Sequence, residues 1–262
     1  MSWLRWPAAS LLVVAVLSSP ALAAAPTCSR ESQLNSQLVR LARDQGTQLV
    51  QTLDRIQGTG RQLLALRSYL RSRDSLADRW SWSQMQIDEF RRSREYHDLV
   101  TEVAKIRARF EADNPGFELY ANTEVRSLDL QIQRWNQNQS VARLANSLES
   151  TLCQRFDSKD AGELTPDVLR EALIHWQPST PAPLAAPGLS LHGRARAIDF
   201  QIHQGTRVIA GPEVAKIRST WEAQGWSKKL SSAVSAASDK FKGPLKAPNE
   251  PWHYEYRPAP AQ

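Results

Sequence analysis

Ser190-Leu-His-Gly-Arg-Ala-Arg-Ala-Ile-Asp199 and, near the C-terminus, Asn249-Glu-Pro-Trp-His-Tyr-Glu-Tyr256 decide the reading of this chain. The run from Ala195 to His203 alternates as a strand does, with Ile198, Phe200 and Ile202 on one face and Asp199 on the other. In one continuous strand His192 and Asp199 would point to opposite faces. For the two to meet, His192 must lie in a turn before the strand, which places a loop at Gly193-Arg194. Pro251 removes a backbone donor and rules out a regular helix through Glu250 and His253. The segment from His253 to Tyr256 therefore reads as an edge strand. Two imidazoles and one carboxylate, His192, Asp199 and His253, suit Zn²⁺ and leave a fourth tetrahedral position for water. Glu250, three residues before His253, is the nearby group able to take a proton from that water. On ligand types alone the alternative stays open that these side chains only hydrogen-bond in a core.

The order S-x-H-x(6)-D followed by E-P-W-H resembles the zinc D-alanyl-D-alanine peptidases of bacterial cell walls, which include the VanY-type carboxypeptidases. Ser190, His192, Ala197, Asp199, Glu250, Pro251, Trp252 and His253 match the pattern S-x-H-x-x-G-x-A-x-D…E-P-W-H, and Ala195 stands where the family has glycine. The resemblance implies an α+β fold of Hedgehog-like type, a small antiparallel sheet flanked by helices. It implies His192, Asp199 and His253 as ligands of Zn²⁺, Glu250 as catalytic base and Ser190 as a substrate contact. It also implies an arginine facing the substrate on a strand that leads into a helix. Arg126, in Val125-Arg-Ser-Leu-Asp-Leu-Gln131, occupies the corresponding place, with Glu124 and Val125 where the family has glycine and tyrosine. A guanidinium suits an oxyanion because it stays charged and offers donors in a fixed fork. The implied substrate is the peptide stem of peptidoglycan, foremost its terminal D-Ala-D-Ala bond. The resemblance spans residues 84–258, with a helical N-terminal extension, residues 24–83, outside it and a tail at 259–262.

Residues 1–23 carry the marks of a secretory signal peptide: Arg5, the apolar run Leu11-Leu-Val-Val-Ala-Val-Leu17, and the small-residue site Ala21-Leu-Ala23. The apolar run is short for a membrane anchor, and no later segment of the 262 residues could span a bilayer. An exported protein of the periplasm or cell envelope is expected. In that oxidising compartment Cys28 and Cys153 can form one disulfide; two unpaired thiols are the alternative. Net charge is +6 and falls by one, to +5, when Arg5 leaves. Such a balance suits anionic wall polymers or lipid headgroups. Nucleic acid is excluded by the export signal and the absence of a basic-aromatic binding motif.

Elsewhere the periodicity is helical. Residues 29–73 repeat leucines at spacings of three and four, with a break at Gly58-Thr-Gly60. This stripe reads as packing, with a protein partner as the other use for it. Residues 78–82 form a tryptophan-bearing connector. Ser83-x-x-Gln86 is a capping box opening one long helix that Asn114-Pro-Gly116 stops. A strand at 117–127, helices at 128–138, 140–156 and 165–176, a stiff loop at 178–188, a hairpin at 206–210, and helices from Pro212 and Trp226 complete the outline. His97 and His175 read as surface groups, and His203 as a rival ligand disfavoured by strand geometry. Functions of another class remain open: a wall-binding module that keeps zinc without cleaving, or an adaptor that recruits through its N-terminal helices. Within the enzyme class, cross-link endopeptidase activity stands beside carboxypeptidase activity.

Overall fold

In the computed structural model, residues 28–258 are described except 73–74, 159–161, 181 and 183. The expected signal peptide at 1–23 and the tail at 259–262 lie outside the described residues. The architecture is α+β, with a small antiparallel sheet flanked by helices, as the sequence implied. No helix among the described residues is long and apolar enough to cross a membrane.

The leucine-rich N-terminal stretch folds as α1 (Glu31–Gln45), α2 (Thr47–Leu53) and α3 (Thr59–Ser72), with short α4 (Leu76–Arg79) after it. Gly46, at φ 116°, makes a break between α1 and α2 that the periodicity did not reveal. The long helix expected after Ser83 is two: α5 (Gln84–Arg91) and α6 (Arg94–Asp113). Ser83 and Gln86 form the full reciprocal capping box. Ser93 then caps α6 by accepting from the Tyr96 N–H, which restarts the helix on a new axis. Strand β1 (Glu118–Asn122) leads to α7 (Leu128–Gln137), α8 (Gln139–Asp157) and α9 (Pro166–His175). Ser127, Asn138 and Thr165 cap these three helices through their side chains. Then come β2 (Ala197–Gln204), β3 (Arg207–Ala210), α10 (Trp226–Ala237), β4 (Phe241–Lys242) and β5 (His253–Tyr256). The helix expected from Pro212 appears only as a 3₁₀ turn, Val214–Lys216, running into a wider π-wound turn, Ile217–Glu222.

Strand β2 is the centre of the sheet. Its neighbours are β1 on one side and β5, then β4, on the other, with β3 folding back on its C-terminal end. Strand β5 is therefore flanked on both sides and is not the edge strand expected, because Phe241-Lys242 pairs with Tyr256 and Glu255. The buried face of the sheet holds Leu119, Ile198, Phe200, Ile202, Tyr254 and Tyr256, and packs with Phe110, Trp226 and Leu230 of α6 and α10. Buried Glu102 of α6 links these helices to the chain beyond α10. It accepts hydrogen bonds from Ser238 Oγ at 2.6 Å and Lys105 Nζ at 2.9 Å, with Lys240 Nζ at 3.5 Å. Burial raises its carboxyl, but these partners outweigh burial and hold it below the usual range.

A second apolar core lies apart from the sheet. It unites α1, α2 and α3 with Trp135, with Leu144, Leu148 and Leu152 of α8, and with Leu169 and Leu173 of α9. Residues 28–80 thus share their core with residues 135–189. The chain passes from the helical core to the sheet core near residue 83, returns at α7, and leaves again for β2.

Cys28 and Cys153 are joined, with Cα atoms 5.3 Å apart, and tie the chain before α1 to the last turns of α8. The bond closes a loop of 125 residues in sequence. Loss of it by reduction, or by Cys153→Ser, is expected to lower stability by about 2–5 kcal/mol. Urea denaturation with and without reductant measures this, and an unchanged midpoint would deny the bond a stabilising role.

Candidate metal centre

The candidate ligand set is assembled from two elements that the sheet brings into register and one turn that folds over them. Asp199 of β2 stands directly opposite His253 of β5. Directly opposite residues present their side chains on the same face, here the face away from Ile198 and Phe200. His253 Nδ1 lies 3.1 Å from Asp199 Oδ1. His192 arrives from the 3₁₀ turn Leu191–Arg194, with Nε2 3.3 Å from Asp199 Oδ2. The two imidazoles meet edge to face, centroids 5.1 Å apart. One donor atom from each of His192, Asp199 and His253 fits within a 4.8 Å span. The loop anticipated at Gly193-Arg194 is this turn.

Glu250 and Arg126 complete the cluster. Glu250 Oε2 lies 3.8 Å from His253 Nδ1, and its side chain is 23% exposed, enough to reach solvent from beside the ligands. The Glu250 N–H donates to Leu245 O at 3.0 Å, and the Glu250 carbonyl accepts from the His253 N–H at 3.1 Å. This tight turn is what Pro251 makes in place of a helix. Arg126 Nη2 donates to Asp199 Oδ2 at 2.7 Å. Its observed partner is thus the Asp199 carboxylate, and a quarter of the side chain faces solvent. Ser190 supplies the turn with its carbonyl, which accepts from the Gly193 N–H at 2.8 Å.

The protonation states suit a metal. Burial alone would raise the Asp199 carboxyl, but hydrogen bonds from His192 and His253, with the charge of Arg126, hold it far below the usual range. Burial pushes His192 below its ordinary value, against the opposing pull of Asp199. An ionised carboxylate and a neutral imidazole are the forms that bind zinc. Glu250 moves the other way: burial raises its carboxyl, and the negative Asp199 adds to the rise, against His253 and Arg126.

The turn that carries His192 is held from three sides, by Arg126 and by Trp82 and Gln131, to which the sequence assigned no role. The Trp82 N–H donates to Gly193 O at 2.9 Å, and the Arg126 N–H to His192 O at 3.1 Å. Gln131, buried on α7, uses its whole amide. Nε2 donates to Ser81 Oγ at 2.9 Å and to Arg126 O at 2.8 Å, and Oε1 accepts from the Gly188 N–H at 3.0 Å. A Cβ on Gly193 would lie 2.0 Å from Ser81 Oγ and 2.6 Å from Gln131 Nε2, so only glycine fits. The sequence showed residues 78–82 only as a tryptophan-bearing connector; no local pattern names its partners at Gly188 and Gly193.

Ala195 closes the turn at φ 52° and ψ 30°. A left-handed alanine costs roughly 1–2 kcal/mol, while its buried methyl contributes about 0.8 kcal/mol. Ala195→Gly is therefore expected to leave stability unchanged or raise it by up to about 1 kcal/mol, against the usual loss for a buried alanine. Chemical denaturation checks this, and a clear destabilisation would mean the methyl outweighs the backbone.

His203 lies apart from the cluster, 3.4 Å from Gln201 Oε1 and stacked on Tyr120. His175 contacts Glu171 on the exposed side of α9, and His97 sits beside Tyr96 on α6. None joins the candidate ligands. Comparison of the chain with protein-family models, with curated proteins and with solved structures finds no match to any of them.

Proposed function

We propose that this protein is a zinc-dependent peptidase of the exported D-alanyl-D-alanine peptidase type, cleaving the peptide stems of peptidoglycan, foremost the terminal D-Ala-D-Ala bond. The observation that carries the reading is the convergence of His192, Asp199 and His253 on one buried point with Glu250 at its open side. The donor set fits zinc in type and number. When bound, zinc would acidify a water and polarise the scissile carbonyl.

The chain's own residues divide the remaining work. Asp199 and the two histidines hold the ion, and Arg126 fixes the Asp199 carboxylate through its charge-assisted bond. Glu250, raised in pKa and partly open to solvent, accepts the proton of the attacking water at a carboxylate oxygen. It then delivers that proton to the departing amine nitrogen. The Arg126 nitrogens not bonded to Asp199 are donors available to the oxygen that gains negative charge. Ser190, at the entrance of the His192 turn, would contact the peptide. Export to the cell envelope follows from the N-terminal leader read in the sequence.

Digestion of purified peptidoglycan by the zinc-loaded protein, followed by mass analysis, tests the proposal. Free D-alanine is expected. Opened cross-links would assign endopeptidase activity in its place. Intact stems, with zinc bound, would leave the wall-binding or adaptor function and overturn the enzyme.

A further inference from the structure

The face of the sheet that carries Asp199 and His253 does not end at the candidate metal centre. Side chains alternate along a strand, so Gln201 and His203 follow Asp199 on this face. Strand β1 sets Asn122, Tyr120 and Glu118 opposite Asp199, Gln201 and His203. On the other side of β2, Val208 of β3 stands opposite His203. Directly opposite residues share a face. Tyr120 is 48% exposed and Val208 49%, whereas the opposite face of the sheet is buried core. The Tyr120 ring lies against the His203 imidazole, centroids 5.5 Å apart. Tyr120, His203 and Val208 thus make one open, largely apolar patch across β1, β2 and β3, with exposed Glu118 at its far end.

At a rise of about 3.3–3.4 Å per residue, the patch begins about 7 Å along the sheet from Asp199 and reaches about 13 Å. A peptide laid extended over this face advances at the same rate. The opposite direction along β2 is closed. Ala197, the next residue on this face, is buried, and there the Arg196 N–H donates to Leu191 O as the chain folds back into the turn that carries His192. Between the candidate metal centre and the patch lies Gln201, partly exposed, whose amide offers N–H donors to a peptide carbonyl.

We propose that Tyr120, His203 and Val208 form a subsite for an aliphatic side chain of an extended peptide, about two to four residues to the amino-terminal side of the bond cleaved. The place of that bond rests on the peptidase reading above. When a terminal residue leaves on the carboxyl side, the long part of the substrate is its amino-terminal part, and the open direction of the sheet is the one that receives it. Tyr120 and Val208 supply apolar area that faces water in the free protein, and covering it favours binding. They act as positioning residues, away from the reacting atoms. A substrate too short to reach them forgoes that binding energy.

The test compares hydrolysis of acetyl-Leu-Leu-Leu-D-Ala-D-Ala and acetyl-Gly-Gly-Gly-D-Ala-D-Ala by the zinc-loaded protein and by its variant Tyr120→Ser/Val208→Ser. Both replaced side chains are exposed, so the variant is expected to fold, and its urea midpoint checks this. In the native protein kcat/KM should be about tenfold higher for the leucine peptide, an advantage that falls to about twofold or less in the variant. A general loss of activity would leave this ratio in place. A native ratio near one, or the same ratio in both proteins, would overturn the subsite. Should the native protein bind zinc yet cleave neither peptide, the peptidase reading falls and binding decides the subsite. NMR titration with the leucine peptide then follows the Tyr120 ring signals, assigned by their loss in the variant. Saturable shifts at lower concentration than with the glycine peptide would keep a peptide subsite here, and unmoved Tyr120 signals would remove it.

Discussion

Replacing Glu250 with glutamine is expected to cut hydrolysis of wall peptides by about 10²–10⁴-fold while zinc remains bound. The substitution keeps the size and the hydrogen-bonding reach of the side chain and removes only its capacity to take a proton. Glu250 is not in the ligand set, and its carboxylate lies 3.8 Å from His253, beside the ligands and not among them. Zinc content, read by atomic absorption, should therefore equal that of the native chain. The pH profile gives a second readout. A general base works deprotonated, and burial raises this carboxyl above its ordinary range. Activity should then fall on acidification as this carboxyl takes up a proton, and that limb should vanish in Glu250→Gln. Native turnover in the variant would remove Glu250 from the chemistry.

The larger structural effect is expected at Asp199. Asp199→Asn should abolish zinc binding at micromolar metal, and with it all hydrolysis. The carboxylate is the one anionic donor of the set, and it is shared by both histidines and Arg126. The same change should destabilise the metal-free chain by about 3–5 kcal/mol, because it leaves the Arg126 guanidinium beside a neutral amide in a mostly buried site. Removing Arg126 as well, in Asp199→Asn/Arg126→Met, should restore part of that loss without restoring zinc. Metal titration with a chromophoric chelator and urea denaturation separate the two consequences. Retention of stoichiometric zinc by Asp199→Asn would refute the ligand assignment.

Much of this site was legible because its spacing obeys strand and turn geometry. The alternation around Asp199 put Ile198, Phe200 and Ile202 in the core, as they are. The same alternation forced His192 into a turn, and Pro251 excluded a helix. What escaped has a common cause. The pairing of β4 with β5 involves two residues whose strand character comes from their neighbour. The split between α5 and α6 depends on Ser93, whose capping is invisible inside an uninterrupted apolar periodicity. The bonds of Ser81, Trp82 and Gln131 around the His192 turn join residues far apart in the chain, and no local pattern encodes such partners. Arg126 was expected on the strand, which ends at Asn122 and leaves it in the connection to α7, and its bond to Asp199 is a matter of tertiary fit.

The clasp of residues 80–82 on the Gly188–Gly193 backbone bears on how this molecule can be shortened. The N-terminal helices look, from sequence, like baggage that trimming could discard. Yet α1, α2 and α3 fill one side of the core whose other side is α8 and α9, and α8 follows directly on α7, the helix that carries Gln131. Cutting away α1, α2 and α3 would strip the backing from the very scaffold that spaces the two histidines. A minimal version of this protein should therefore keep α1, α2 and α3.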